Sequence, residues 1–282
     1  LDFSIMERTA FTKMYKKAKE KGTEAISMEY DIPQEEVEVL LPSLIVLNRL
    51  LKYTVNDSIL LSNVLLSDAV MFEMLFPKEA SFVVKAYEEF TLQSATSIAE
   101  RFGRDIGHIS RVSSVAIEIY DKMKKLHGYK SRERTLLQVS AILQDIGKYV
   151  NVKNHALLSY NTITNLDIVG INDHERLIIA TVCYYHNGNI PSMDSPIYNQ
   201  LSQEDRVMVS KLAAILQISN AINTSHSPKF EQVSVNMKNG KLNIYLTTLK
   251  NINLEKWAFI AKSKLFKEVY GLNATIIKRG VL

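Results

Sequence analysis

His108, the adjacent pair Gln144-Asp145, His186 and Asn220 lie on or at the ends of successive helical patterns. The steps from 108 to 144, 145 to 186 and 186 to 220 are 36, 41 and 34 residues. Imidazoles and carboxylates gathered from successive helices can hold a divalent metal. Such a metal polarises a phosphate and lowers the pKa of an attacking water. This chain is short of ligands for that chemistry. Gln144 and Asn220 offer neutral amide oxygens, poorer donors than imidazole or carboxylate, and Asp145 is left as the one anion. A divalent ion there would be poorly neutralised, so the set reads as a degenerate site that holds no metal and catalyses nothing. The plainer alternative is that His108 and His186 bond to nearby backbone while Asp145 caps a helix or pairs with Lys148.

Anion binding is the second chemistry on offer. The net charge of +4 hides an asymmetry: residues 1–100 carry 10 Lys and Arg against 16 Asp and Glu, and residues 101–282 carry 24 against 14. Such a division favours an anionic partner for the second part, or attraction between the two parts. Arg104, His108 and Arg111 fall at steps of four and three, the spacing of one helix face, and Lys148 and Lys153 follow the Asp145-Ile146-Gly147 stop. Arginine contacts phosphate through paired hydrogen bonds and lysine as a point charge. These five residues are the candidate anion site. The lysines and arginines of KMKKLHGYKSRER read as a solvated face. No aromatic is interleaved with them for base stacking, so nucleic acid is not an expected partner.

The elements that must position these groups follow from periodicity. Helices are predicted over roughly 4–21 and 34–53, then a short strand SILLS at 58–62 and a helix through MFEMLF, closing at Pro77. Residues 78–227 are almost wholly helical in pattern. Ile109, Val112, Ala116, Ile119, Met123 and Leu126 recur at three and four as the buried stripe of one helix ending near Gly128. RTLLQVSAILQDIG, ERLIIATVCYYH and EDRVMVSKLAAILQISNAIN are further helices, the last apolar on most sides and therefore central. EQVSVNM, a KNG turn and KLNIYLT make a β-hairpin, followed by a helix to Gly271 and a strand NATIIK, with Trp257 as the expected core anchor. The fold class expected is mainly α with a smaller α+β part. The expected divisions are an α/β segment at 1–77, a helical domain at 78–228 and a β-β-α-β domain at 229–282. No apolar run approaches the ~20 residues of a membrane span, no signal peptide is visible, and the single Cys183 reads as a small buried hydrophobe. A soluble, cytoplasmic protein is expected.

The order His, Gln-Asp, His, Asn resembles that of compact HD-type phosphohydrolases. There the pair is His-Asp and the distal residue Asp, so Gln144 and Asn220 are the departures. HISRVSSVA, LLQVSAILQDIGKYVN, ERLIIATVCYYHNGNIP and KLAAILQISNAIN, followed by the β-β-α-β tail, resemble the C-terminal part of the exopolyphosphatase/guanosine pentaphosphate phosphatase (Ppx/GppA) family. EVEVLLPSLIVLNRLL and SILLSNVLLSDAVMF more weakly resemble the last helix-strand-helix of that family's actin-like (ribonuclease H-like) unit. The resemblance implies an HD-like helical domain and a homodimer. It also implies polyphosphate or a guanosine polyphosphate as partner, and Mg²⁺-assisted water attack on a phosphoanhydride in the actin-like unit. LLPS ending in Ser43 and Asp68-Ala69 depart from the family's Leu-Pro-Gly and Glu-Gly patterns. A histidine that the family often places after its HDIG segment aligns here with Leu157-Leu158, although His155 lies near.

The family's phosphate-binding glycine loops and catalytic Glu are absent from these 282 residues. The expectation is therefore a chain that binds polyphosphate or a guanosine polyphosphate without hydrolysing it alone. Two rivals remain: a self-sufficient HD phosphohydrolase using His108, Asp145 and His186, and a structural or regulatory dimerisation module. The latter would present an apolar exposed face on helix 79–102 around Phe82, Ala86 and Phe90.

Overall fold

Residues Phe3–Glu7, predicted as the opening of the first helix, instead form a strand, β1, paired antiparallel with β2 (Ser58–Ser62). The short strand SILLS thereby gains the partner it needs, because a lone strand leaves its backbone groups unpaired. The junction is pinned by Arg8, whose guanidinium donates to the carbonyls of Leu51 at 2.6 Å and Thr54 at 3.0 Å. In the computed structural model, residues 3–62, 66–78, 81–238 and 240–280 are described, and Asn239 of the KNG turn lies outside them. The chain divides into two compact units, 1–81 and 82–282.

Helices α1 (Arg8–Lys21), α2 (Thr23–Tyr30), α3 (Gln34–Leu51) and α4 (Leu66–Leu75) complete the first unit's described elements. Its small core is Phe11, Ala18, Ile26, Val37 and Leu44. Pro42 of LLPS lies inside α3, where its missing N–H removes one helical bond.

The second unit is helical, as the apolar periodicity requires. After α5 (Ser81–Arg101) come α6 (Ile106–Lys122), α7 (Lys124–His127) and α8 (Ser131–Leu143). A 3₁₀ turn over Ile146–Tyr149 precedes α9 (His155–Ile163), α10 (Asp173–Tyr185), α11 (Pro196–Asn199) and α12 (Gln203–Ile222). Helix α12 is central: Leu212 to Leu216 are wholly buried. The predicted long helix to Gly128 breaks at Met123, which leaves helical geometry (φ −97°, ψ 7°), so that a separate last turn ends at left-handed Gly128. On α5, Phe82 and Phe90 are exposed.

The tail forms β3 (Gln232–Lys238), β4 (Lys241–Thr247), α13 (Asn253–Tyr270) and β5 (Asn273–Arg279). β3 and β4 are the predicted antiparallel hairpin, and α13 carries the chain over to lay β5 parallel to β4. Helix α13 packs on α12, and its apolar side chains join the same core as the helices. Trp257 is not the anchor: it is 72% exposed, and Ala258, Phe259, Leu265 and Phe266 face inward instead. The pattern around Trp257 offers two faces, and the one carrying the two phenylalanines has the larger continuous apolar area to bury. Among the described residues, no helix is long and apolar enough to cross a membrane.

One contact fixes the geometry of everything that follows. A Cβ built on Gly147 would lie 2.2 Å from the His155 carbonyl oxygen and 2.5 Å from the Ser159 nitrogen, both rigid backbone. Only glycine lets α9 come this close. Ser159 completes the seam, its Oγ accepting from Gly147 N at 2.9 Å and donating to Gln144 O at 2.8 Å. Gly147→Ala should therefore lower the unfolding free energy by about 3 kcal/mol or more, since backbone cannot step aside as a side chain can. Denaturant titration measures this, and a loss below about 1 kcal/mol would contradict the close approach.

Candidate functional site

Helix α6 begins where Asp105 caps it, the carboxylate accepting from Gly107 N at 2.8 Å. This start places His108 in the first turn, buried, rather than on an exposed face. Opposite, α8 ends at Gln144 and Asp145, both buried, before the 3₁₀ turn delivers Lys148. Between them is a cavity of about 210 Å³, with Arg104, His108, Gln144, Asp145, Lys148 and His226 in its wall.

Arg104 precedes α6 and so does not share a helix face with His108, as the three-four spacing had suggested. It reaches the cavity from the preceding turn, donating through Nη1 to the Asp145 backbone carbonyl at 3.1 Å. Lys148 pairs with Asp145 Oδ2 at 2.7 Å. Arg111 lies on the wall of a second groove between α6 and β3, not of this cavity. Lys153 is exposed and lines neither. Asn220 is half-buried in α12 and outside the cavity wall. Of the set that the HD resemblance implies, His108, Gln144 and Asp145 line the cavity, and His186 reaches Asp145 from outside its wall.

Three groups join that sequence reasoning did not assign. His226 follows α12 in a turn, at a left-handed φ of 53°, and its ring lies 4.0 Å from that of His108. Non-glycine residues occupy that region seldom, and strain of this kind collects at functional sites. The polar TSHSP turn directly after the most apolar helix was the available signal. Lys262 extends from α13 into the same electrostatic neighbourhood. Burial lowers its ammonium pKa, with Asp145 opposing and Lys148 adding to the shift. His155, at the first position of α9, is carried against Asp145 by the Gly147 seam, with Nε2 3.6 Å from Oδ1. His186, at the end of α10, puts its Nε2 3.2 Å from the same oxygen.

The Asp145 carboxylate is thus shared. Burial opposes its ionisation, yet His186 beside Oδ1 and the Lys148 ammonium at Oδ2 hold it far below the usual carboxylate range. It remains an anion. The cavity wall also holds unpaired polar atoms: Arg104 Nε, both ring nitrogens of His108 and Gln144 Oε1 are buried without a hydrogen-bond partner. Buried polar atoms left this way cost about 1–3 kcal/mol each. Such a set of unpaired polar atoms can be satisfied by water or by a polar ligand. Cys183, buried as expected, directs its thiol to the Ser140 carbonyl and takes no part.

A family model described as Ppx/GppA phosphatase, domain III, matches residues 92–265. The matched span contains every residue of the cavity wall and of the carboxylate–imidazole cluster.

Burial pushes the His108 imidazole down to about 4; His226, Lys148 and Arg111 add to this and Asp145 opposes it. The unfolded ring takes its proton near pH 6.5, so the folded state binds fewer protons between these values. Stability from the neutral ring is whole above about pH 6.5 and is lost as pH falls toward about 4, by up to about 3 kcal/mol. His127, His155 and His226 are lowered too, each first by burial, and act in the same direction. The measurement is therefore comparative. His108→Gln should show a shallower fall in unfolding free energy between pH 7 and pH 5 than the wild type. Equal slopes would remove His108 from the account.

Proposed function

Because the chain belongs to the Ppx/GppA phosphatase family, we propose that its domain III cavity binds a phosphoryl group of polyphosphate or a guanosine polyphosphate. We propose further that these residues bind it without cleaving it. One observation carries the reading: Arg104, His108, Lys148 and His226 ring a single cavity in which buried polar atoms have no hydrogen-bond partner. A phosphate presents several acceptor oxygens at once and carries the charge that Arg104 and Lys148 attract. Lys148 already neutralises Asp145, so the carboxylate in the wall repels an anion less than its charge alone would. The N-terminus of α6 points the same way, although Asp105 has taken part of its positive end.

Cleavage is not part of the proposal because the cavity offers no set that would activate water. Gln144 is a neutral amide and Asn220 lies outside the cavity wall, so two positions of the HD ligand set supply neither charge nor imidazole there. Homodimerisation, which the family resemblance implies, belongs to the same proposal and is read from the mass in solution at two concentrations.

Calorimetry with polyphosphate and with guanosine pentaphosphate tests the site. Arg104→Ala should weaken binding about tenfold or more, in line with one charge-assisted hydrogen bond. Lys148→Ala should weaken it further, since it also exposes the Asp145 charge. Lys153→Ala should change nothing beyond the salt-sensitive surface attraction. Equal affinities for wild type and Arg104→Ala would sink the site. Phosphate release above a buffer control, lost in Asp145→Asn, would replace the binding reading with the hydrolase one.

A further inference from the structure

Helix α13 has two apolar faces and buries one of them. Ala258, Phe259, Leu265 and Phe266 lie in the core. On the outside, Leu254, Trp257 and Ile260 follow one another at steps of three, which spans an arc of about 120°. Trp257 is 72% exposed, Ile260 74% and Leu254 47%. Single exposed apolar residues are ordinary, but a contiguous group that includes the chain's one tryptophan marks an interaction surface.

Lysines border and interrupt the same arc. Lys264 falls between Trp257 and Ile260 in helical angle, and Lys256 and Lys267 lie along the Ile260 edge. All three are exposed. From Leu249 to Lys267 the single carboxylate is Glu255, which is buried and paired with Lys229 at 2.9 Å. Glu268, one residue further on, meets Lys264 only at 3.9 Å. The exposed charge of this stretch is therefore wholly positive.

We propose that the outer face of α13 docks on an anionic lipid bilayer, where the chain rests on the surface without spanning it. Tryptophan is favoured at the boundary between headgroups and acyl chains, since its ring is apolar while its N–H seeks an acceptor. Lysines beside it can lay their stems along apolar neighbours while each ammonium reaches a headgroup phosphate. Tryptophan, leucine and isoleucine next to lysine are the residues of a helix that lies in the membrane interface. A protein partner fits less well, because interface cores are depleted in lysine and Lys264 sits inside the apolar arc rather than at its rim. A second copy fits worst: a two-fold contact through this face would set lysines against lysines. The surface is also separate from the phosphate cavity, whose wall contains none of these residues. Its occupation does not depend on what that cavity binds.

Trp257 supplies the probe, because the chain has no second tryptophan. The full chain is mixed with phosphatidylcholine vesicles carrying about 30% phosphatidylserine, the anionic lipid that attracts basic segments, and separately with phosphatidylcholine alone. Co-sedimentation with the anionic vesicles and a blue shift of Trp257 emission are expected, both reduced by added salt. Ile260→Ser should weaken partitioning about tenfold. Lys256→Glu combined with Lys264→Glu should weaken it about tenfold or more, at roughly fivefold for each lysine lost. Lys125→Glu, on α7, changes charge away from this helix and should cost less than about threefold. The proposal fails if the anionic vesicles are not bound, or if they sediment the chain without shifting its emission. It fails equally if neutral vesicles give the same shift, or if Lys125→Glu loses as much as the α13 pair. A shift that grows with protein concentration in the absence of lipid would assign the face to a second copy instead. Should Ile260→Ser lose its helical circular dichroism, the wild-type emission on the two kinds of vesicle still decides.

Discussion

The site is held together by a missing side chain. At Gly147 the turn after α8 meets the backbone of α9 at a distance that no Cβ could share, and the Ser159 hydroxyl bonds both strands of the seam. Close backbone approach of this kind is one of the few jobs that glycine alone can do. Its consequence is positional. His155 opens α9, so the seam that brings α9 to Gly147 also brings His155 to the Asp145 carboxylate, ten residues earlier in the chain. Lys148 follows Gly147 directly and is turned back onto the same carboxylate from the other side.

Asp145 then organises the electrostatics. It is a buried anion with one oxygen paired to an ammonium and the other surrounded by imidazoles that the backbone has locked in one tautomer. A buried charge must be compensated to be tolerated. On the cavity side Lys148 pairs with the carboxylate and Arg104 donates to the Asp145 backbone carbonyl, while His155 and His186 lie against Oδ1 behind. The cavity wall thus carries two cations, Arg104 and Lys148, against two carboxylates, Asp105 and Asp145. Some of its buried polar atoms have no partner within the protein. The rest of the second unit serves to hold these ends still. Gln217 of the central α12 donates to the carbonyls of Tyr185 and Asn189, fixing the segment that carries His186.

Periodicity and turn chemistry in the sequence sufficed for the helical class, the central place of α12, the strand at 58–62 and the hairpin of the tail. Each rests on local rules: apolar recurrence at three and four, alternation at two, and glycine at the stops. Local rules failed where two outcomes were locally equal. FSIME could begin a helix or form a strand, and the availability of β2 as a partner decided it. Trp257 and the phenylalanines of α13 mark different faces of one helix, and the face with the larger core to fill was buried.

The candidate site divides in the same way. The residue types, the Asp-Ile-Gly stop and the positive balance of residues 101–282 are properties of the chain, and they single out the neighbourhood of Asp145. Membership of the cluster is a property of three dimensions. Arg111 and Arg104 are equally well spaced from His108 on a helix, yet α6 starts at Ile106, so one turns to a different groove and the other reaches the cavity from outside the helix. His155 and His226 sit in segments without distinctive spacing. They enter the site because one helix closes on a glycine and another ends in a left-handed turn. Spacing along a chain fixes which groups share an element, whereas the angle and closeness at which elements pack fix which groups meet, and that is set by the whole core at once.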